Sequence, residues 1–257
     1  MTSTEPWPTP IRAALSIWAW LTMALLVLIW VPLQVVVYLA TFWWDRPRWY
    51  AGRMFRLSGV LAAKLNPFWL FRVHGRLPAE LRGRAFVAVC NHESAADPYL
   101  LSHYPWEMKW LTKAELFRVP PLAALLWTAG DVPVSRGNPR SAIRSLQECG
   151  RWLARGASVM VFPEGTRSDT GRTGVFRDGA FKLAIDAQAP VLLLCLSGTG
   201  RSLPKGSLLF TRTRASARVL GFRETNGLGR ADTGRLRDEC REVIEAGRAA
   251  LAVELTG

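Results

Sequence analysis

The stretch Phe86-Val87-Ala88-Val89-Cys90-Asn91-His92-Glu93-Ser94-Ala95-Ala96-Asp97-Pro98 decides how the chain is read. Residues 86–90 form an apolar run of the length of a fully buried strand. Asp97-Pro98 is a helix-start signal, a capping-type side chain followed by a residue preset for the first helical turn. Strand, polar loop and helix in that order predict an α/β unit, and such a loop holds a side chain both fixed and reachable. A neutral imidazole takes a proton well at pH 7 once an acceptor holds its other nitrogen, and Asp97 can be that acceptor for His92. Taken alone, the pair reads equally as a loop histidine beside a helix cap, with Ser94 and Asp97 alternatively forming a capping box.

Downstream, the α/β pattern repeats. Further strands are predicted at 108–111, 132–135, 158–162, 191–196, 208–212 and 215–220, with helices between them. The clearest helix is 139–155, capped by Asn138, started by Pro139 and stopped by Gly156. A last amphipathic helix, about 233–254, carries Leu236, Cys240, Val243, Gly247 and Leu251 on one stripe, which reads as packing. The expected fold class is therefore α/β, a mixed sheet flanked by helices.

Three loops carry charge in suggestive places. Lys113-Ala114-Glu115-Leu116-Phe117-Arg118-Val119-Pro120 follows one strand, and on composition alone it is a solvated loop. Gly130 to Arg136 runs through a short strand to an arginine. Phe162-Pro163-Glu164-Gly165-Thr166-Arg167-Ser168 leaves the 158–162 strand with a carboxylate, a glycine and a guanidinium. Arginine suits phosphate because its planar fork donates to two oxygens at once, and glycine lets backbone N–H groups approach the same anion.

In this order the loops resemble the motif blocks of the glycerolipid acyltransferase family, whose best-known bacterial members make phosphatidic acid from 1-acyl-glycerol-3-phosphate. The block NHxSxxD is present as Asn91, His92, Ser94 and Asp97. KxELxxxP is present as Lys113, Glu115, Leu116 and Pro120, followed by Gly130 and Arg136 of GxIxxxR, with Val132 in place of isoleucine. FPEGTRS is complete from Phe162 to Ser168, an FKxGAF-like element appears as Phe176-Arg177-Asp178-Gly179-Ala180-Phe181, and Pro190-Val191-Leu192 opens the last strand. The resemblance spans about residues 86–198 and implies a glycerol-3-phosphate acyltransferase-like fold. It implies that His92 is the general base and Asp97 orients it, with Asn91 and Ser94 supporting. It also implies that Glu164, Gly165, Thr166 and Arg167 hold the acceptor's phosphate, with Lys113 or Arg136 adding charge. The implied reaction moves a fatty acyl chain from a thioester, acyl-CoA or acyl carrier protein, to the sn-2 hydroxyl of lysophosphatidic acid. The same blocks serve other acceptors, such as a lyso-ornithine lipid or another lysophospholipid. No GxSxG elbow is present, and Cys90 falls on the strand side, where a thiol is buried.

Upstream, residues 13–44 carry no charged side chain. A helix of about thirty residues is longer than the ~30 Å hydrocarbon core needs, and Pro32 offers a kink or break. A tilted span and a pair of pieces dipping into one leaflet both fit. Arg46, Arg48, Arg53, Arg56 and Lys64 follow the run while only Arg12 precedes it, which expects the cytoplasmic (inner) membrane with the catalytic domain facing the cytoplasm. Between residues 49 and 70 arginines alternate with apolar residues as in a basic helix lying on anionic lipid, which Asn66-Pro67 ends. The expected parts are a polar tail 1–12, a membrane-embedded or interfacial helical region 13–70 and an α/β domain 71–257.

Composition agrees with this division. The 257 residues are 49% hydrophobic, carry a formal net charge of +13 and include 12 tryptophans, a balance that favours an anionic membrane surface. No Walker A or zinc-finger pattern points to nucleic acid. The 4 cysteines are scattered without ligand spacing, so neither metal nor disulfide is expected, and no cofactor beyond the thioester co-substrate.

Overall fold

The structure, a computed structural model, describes residues 8–167, 173–204 and 206–256; residues 1–7 of the expected polar tail and Ser168 of the FPEGTRS block lie outside the described residues. The chain runs α1 (Thr9–Thr41), α2 (Trp49–Leu65), β1 (Trp69–His74), β2 (Val87–Val89), α3 (Asp97–Leu101), β3 (Met108–Lys113), α4 (Pro120–Ala129), β4 (Val132–Val134), α5 (Pro139–Ala154), β5 (Ser158–Val161), α6 (Gly179–Asp186), β6 (Val191–Ser197), β7 (Thr213–Arg223) and α7 (Thr233–Thr256). Among the described residues, seven strands form one sheet in the order β1-β7-β6-β2-β5-β3-β4. β7 runs antiparallel to β6, and every other neighbouring pair is parallel.

Burial on both faces explains why the central strands read as continuous apolar runs. Val87, Val89 and Val159 point to one side, where α5, α6 and α7 cover them. Ala88, Cys90 and Leu194 point to the other, against Leu100 and Leu101 of α3. On α7, Leu236, Cys240, Ile244 and Leu251 are buried, and Leu220 and Cys195 fill the space a side chain on Gly247 would need. That stripe is packing, as its spacing predicts. All four cysteines are free and buried.

Two sequence expectations fail locally. Residues 208–212 form no strand: Phe210 packs on Trp20, Phe68 and Trp69, and its N–H donates to the Ser16 hydroxyl at 3.0 Å, so this apolar run serves α1. Conversely, β1 begins at Trp69, just inside the 13–70 region expected to be helical, although α2 itself ends at Leu65, where Asn66-Pro67 predicts its stop. Trp69, Phe71 and Val73 turn inward while Leu70, Arg72 and His74 are exposed, a period of two masked by the apolar Leu70.

The N-terminal region is a helical hairpin. α1 continues through Pro32 without a break, and at 1.5 Å per residue its 33 residues extend about 50 Å. It is fastened along that length: Arg12 Nε donates to Phe210 O at 2.8 Å, Trp30 Nε1 to Met54 O at 2.8 Å, and Gln34 Nε2 to both Leu125 O and Thr128 Oγ1 at 2.8 Å. The reverse side is bare. Ile17, Leu21, Leu25, Leu28, Val36 and Leu39 form an exposed stripe at helical spacing, and Trp43, Trp44, Trp49 and Tyr50 cluster, exposed, at the hairpin bend.

On α2 the expected placement of arginines is reversed. Arg48 donates to Trp127 O at 2.6 Å, Arg53 donates to Tyr104 O at 2.8 Å, and Arg56 is buried in a pair with Asp131. These three arginines face the protein while Lys64, Trp49, Tyr50, Leu57 and Leu65 face outward. Arginine is used here to bind carbonyls and a carboxylate of α4 and of the segments around α3 and β4, which its five donors suit.

Candidate active site

Because β2, β3, β4, β5 and β6 are mutually parallel, the loops at their carboxyl ends converge on one edge of the sheet, the usual place for a ligand in an open α/β sheet. Asn91 makes the first link. Its side chain donates to Leu196 O and accepts from Leu196 N, both at 2.9 Å, which extends the ladder between the loop and β6 by one side-chain rung.

His92 follows, 6% exposed, its ring stacked on Phe162 with centroids 4.1 Å apart and planes at 18°. Nδ1–H donates to Asp97 Oδ2 at 2.6 Å. This bond assigns the proton to Nδ1 and leaves the Nε2 lone pair free to accept one. Asp97 Oδ2 also accepts from the Glu93 and Ser94 N–H groups at 2.8 and 3.0 Å, and Oδ1 accepts from the Thr199 hydroxyl at 2.5 Å. The carboxylate therefore turns back into its own loop. It does not cap α3, and no capping box forms with Ser94, whose hydroxyl instead accepts from Ala96 N at 3.3 Å and lies 3.1 Å from the Ser202 hydroxyl.

Glu164 has a different task from the phosphate contact expected of it. Oε1 accepts from His92 N and Oε2 from Gly174 N, both at 2.8 Å, and the residue is 5% exposed. Burial pushes its carboxyl up and the two N–H donors pull it back. A buried carboxylate that would repel phosphate here braces the His92 loop against the segment leading to α6. Glu93 braces the opposite side, accepting at Oε2 from Gly198 N at 3.1 Å and Gly200 N at 3.3 Å. Burial, then the neighbouring Asp97 charge, push Glu93 up to about 7, against the Gly200 N–H, Arg248 and the Gly198 N–H.

The cations gather beside this pair. Gly165 occupies a left-handed turn at φ +71°, and the Arg177 guanidinium lies 3.1 Å from where a Cβ on that glycine would sit. Arg136 comes off β4 close enough to Arg167 that its guanidinium is lowered, first by burial and then by that like charge. Lys113 ends β3 half-exposed, 3.7 Å from Glu115, and Thr166 is exposed at the loop tip. Gly165, Arg167 and Arg136 are thus brought together, with Arg177 as an addition. Its position in the FKxGAF-like element was the available signal. Thr199 and Glu93 are further site residues that spacing did not single out.

Cys90 is fully buried and its thiol is pushed well up by that burial, so it is no nucleophile. His103 Nδ1–H bonds to Tyr99 O at 3.0 Å, and His74 lies on the edge strand β1. Among the described residues, no group of three or more His, Cys, Asp and Glu is placed to hold a metal ion.

On the α3 side of the sheet is a cavity of about 340 Å³, in the size range of small-molecule pockets. Met23 and Val27 of α1, Gly59 of α2, Leu122 of α4 and Ala95 and Ala96 of the His92 loop line it, and Arg56 and Asp131 contribute its charged wall.

Residues 70–197 match the family model described as Acyltransferase. A chloroplast 1-acyl-sn-glycerol-3-phosphate acyltransferase of Brassica napus is 37% identical over 143 residues, 56% of this chain and 42% of that protein. The human 1-acyl-sn-glycerol-3-phosphate acyltransferase beta is 28% identical over 191 residues, 73% of this chain and 69% of it. The chain spans less than half the length of the Brassica protein and of a similar one from Arabidopsis thaliana, of which 40% is covered. The fold is that of the crystal structure of the 1-acyl-sn-glycerophosphate acyltransferase PlsC from Thermotoga maritima, with a TM-score of 0.77 at 24% identity over 92% of this chain and 94% of that one. Residues 70–197, which include His92, Asp97 and the 162–167 loop, therefore carry an acyltransferase-family domain, and the similar proteins support the glycerolipid acyltransferases as its family.

Proposed function

We propose that the chain is a membrane-bound O-acyltransferase that moves a fatty acyl chain from a thioester to the sn-2 hydroxyl of lysophosphatidic acid, giving phosphatidic acid. The observation that carries this reading is the His92–Asp97 pair, with Nδ1 committed to Asp97 at 2.6 Å and Nε2 left as the base. Nε2 removes the hydroxyl proton as the sn-2 oxygen attacks the thioester carbonyl, forming the C–O bond of a tetrahedral intermediate. The C–S bond then breaks, and the departing thiolate takes the proton back from the imidazolium, which Asp97 stabilises meanwhile. No covalent acyl-enzyme and no cofactor enter this scheme; acyl-CoA or acyl carrier protein serves as co-substrate.

Two further features support it. Arg136, Arg167 and Arg177 supply charge-assisted donors for the acceptor's phosphate, with Lys113 adding charge from the end of β3. The 340 Å³ cavity next to the His92 loop is lined mostly by apolar side chains, aliphatic and aromatic, with Arg56 and Asp131 at one wall, and its apolar part suits a hydrocarbon chain.

For the membrane, the exposed stripe of α1 and the aromatic cluster at the bend favour a seat in one leaflet over a perpendicular span. A helix bonded to the domain from Arg12 to Gln34 cannot leave it to cross a bilayer, whereas its bare side can lie in lipid. We place the domain on the cytoplasmic face of the inner membrane, a reading supported by the formal net charge of +13, which suits the anionic lipid of that leaflet.

An acceptor panel tests the proposal. Lysophosphatidic acid is expected to exceed monoacylglycerol in kcat/KM by about 100-fold, and Arg167→Gln to raise KM for lysophosphatidic acid about 10-fold while leaving monoacylglycerol turnover unchanged. Equal turnover of both acceptors would reject the phosphate site.

A further inference from the structure

The turn after β6 is bonded to the His92 loop at three points. Thr199 donates to Asp97 Oδ1 at 2.5 Å, the Gly198 and Gly200 N–H groups donate to Glu93 Oε2, and the Ser202 and Ser94 hydroxyls lie 3.1 Å apart. Ser202 also donates to Thr199 O at 2.6 Å, closing the turn on itself. Both Thr199 and Asp97 are 0% exposed, so no solvent competes for that bond.

The backbone is shaped for this placement. Gly198 adopts φ +98°, and a Cβ there would clash with Arg214 O, so only glycine lets the turn leave β6 this close to β7 on its way to the His92 loop. Of Asp97's two oxygens, Oδ2 carries the imidazole and two N–H donors, while Oδ1 has the Thr199 hydroxyl. A carboxylate held at one oxygen can rotate about its last bond. A donor at the second oxygen stops that rotation and fixes the direction in which Oδ2 presents itself to the imidazole.

We propose that Thr199 is a positioning residue for the His92–Asp97 pair, held in place by Glu93 through the Gly198–Gly200 turn. This rests on the reading of His92 as the base. The charged and titratable groups around the pair are Glu93 on its own loop, Glu164 after β5, Cys90 on β2's end and Arg248 of α7, which faces both glutamates. None of them contacts Asp97 Oδ1, so the hydroxyl has no substitute in the site.

The test compares Thr199→Val with Thr199→Ser in the full-length protein in lipid vesicles. Valine keeps the volume and removes the donor; serine keeps the donor. Thr199→Val is expected to lower kcat about 10- to 100-fold with KM for both substrates within about 2-fold of wild type. Loss of the donor leaves the Asp97 charge less well solvated, so it holds the imidazolium more tightly. The acidic limb of the kcat/KM profile then moves to higher pH. Thr199→Ser is expected to recover to within about 3-fold of wild type. If the valine variant does not fold, Thr199→Ala takes its place in the same comparison. A second readout needs no turnover: the low-field proton resonance of the His92 Nδ1–H, identified by its loss in His92→Ala, shifts in Thr199→Val and returns in Thr199→Ser. Wild-type kcat and pH profile in Thr199→Val, equal damage in both variants, or an unmoved resonance would overturn the proposal. Full activity in His92→Ala would overturn the base reading and this inference together, whereas a normal His92 requirement with an inert Thr199 would overturn the inference alone.

Discussion

Replacing His92 with alanine is expected to lower kcat for acyl transfer about 10³- to 10⁴-fold while changing KM little, because in the proposed mechanism the imidazole acts on the proton in flight and not on substrate binding. Nothing else in the site can take over: Cys90 is buried with its thiol pushed up, and Glu93 and Glu164 are turned onto backbone N–H groups. Asp97→Asn is the companion variant. An amide at this position offers one acceptor oxygen where the carboxylate meets an imidazole N–H, two backbone N–H groups and a threonine hydroxyl. Its NH₂ must then face a donor, and the ring loses the partner that assigns its tautomer, so a loss of about 10²- to 10⁴-fold in kcat is expected. Steady-state transfer assays on folded, vesicle-bound protein check both, and activity within 10-fold of wild type in His92→Ala would remove the base from the mechanism.

Arg56→Met is expected to destabilise the protein by about 3–5 kcal/mol, the range found when one partner of a buried charge pair is deleted. Arg56 is 6% exposed, pairs with Asp131 and lies 3.8 Å from Glu107; Glu107 also pairs with Lys109 at 3.2 Å, and Lys109 donates to Arg48 O at 2.9 Å. The network joins α2 to β3 and to the turn that opens β4. With Arg56 gone, two buried carboxylates share one ammonium, and Asp131 keeps the Trp110 N–H at 3.1 Å as its remaining donor. Denaturant midpoints in detergent measure the loss. Arg56→Met combined with Asp131→Leu is expected to recover most of it, since removing both charges also removes the unpaired one. A single variant as stable as wild type would show that the network does not fasten the N-terminal hairpin.

How much of this is visible in the chain itself depends on how local each determinant is. His92 and Asp97 lie in one loop whose strand and helix signals are contiguous, so their pairing can be argued from spacing, and the structure places them 2.6 Å apart. The partners of that loop come from far along the chain. Glu164 reaches His92 N across 72 residues and Thr199 reaches Asp97 across 102, and no periodicity links such positions. Glu164 also illustrates a chemical limit of motif reading: its neighbours Gly165 and Arg167 suit an anion, but its own charge does not, and only the N–H groups it faces reveal its bracing role. The α2 arginines follow the same logic. Their helical spacing with apolar residues is read as a basic face toward lipid, yet the sheet beneath offers Asp131, Glu107 and free carbonyls, and the cations turn to these. Residues 208–212 look like a strand because they are apolar and short, yet Phe210 packs on Trp20, Phe68 and Trp69 and its N–H is taken by the Ser16 hydroxyl, so they serve as a seat for α1.

A single-turnover transfer with a thioester labelled in its acyl chain tests the central claim most directly. Protein in excess over thioester is mixed with lysophosphatidic acid in vesicles, quenched in acid, and lipid and protein fractions are counted. Direct attack assisted by His92 predicts that the label passes into phosphatidic acid, with none bound covalently to protein at any time and almost none transferred by His92→Ala. Label trapped on the protein before phosphatidic acid forms, or no labelled phosphatidic acid at all, would contradict it.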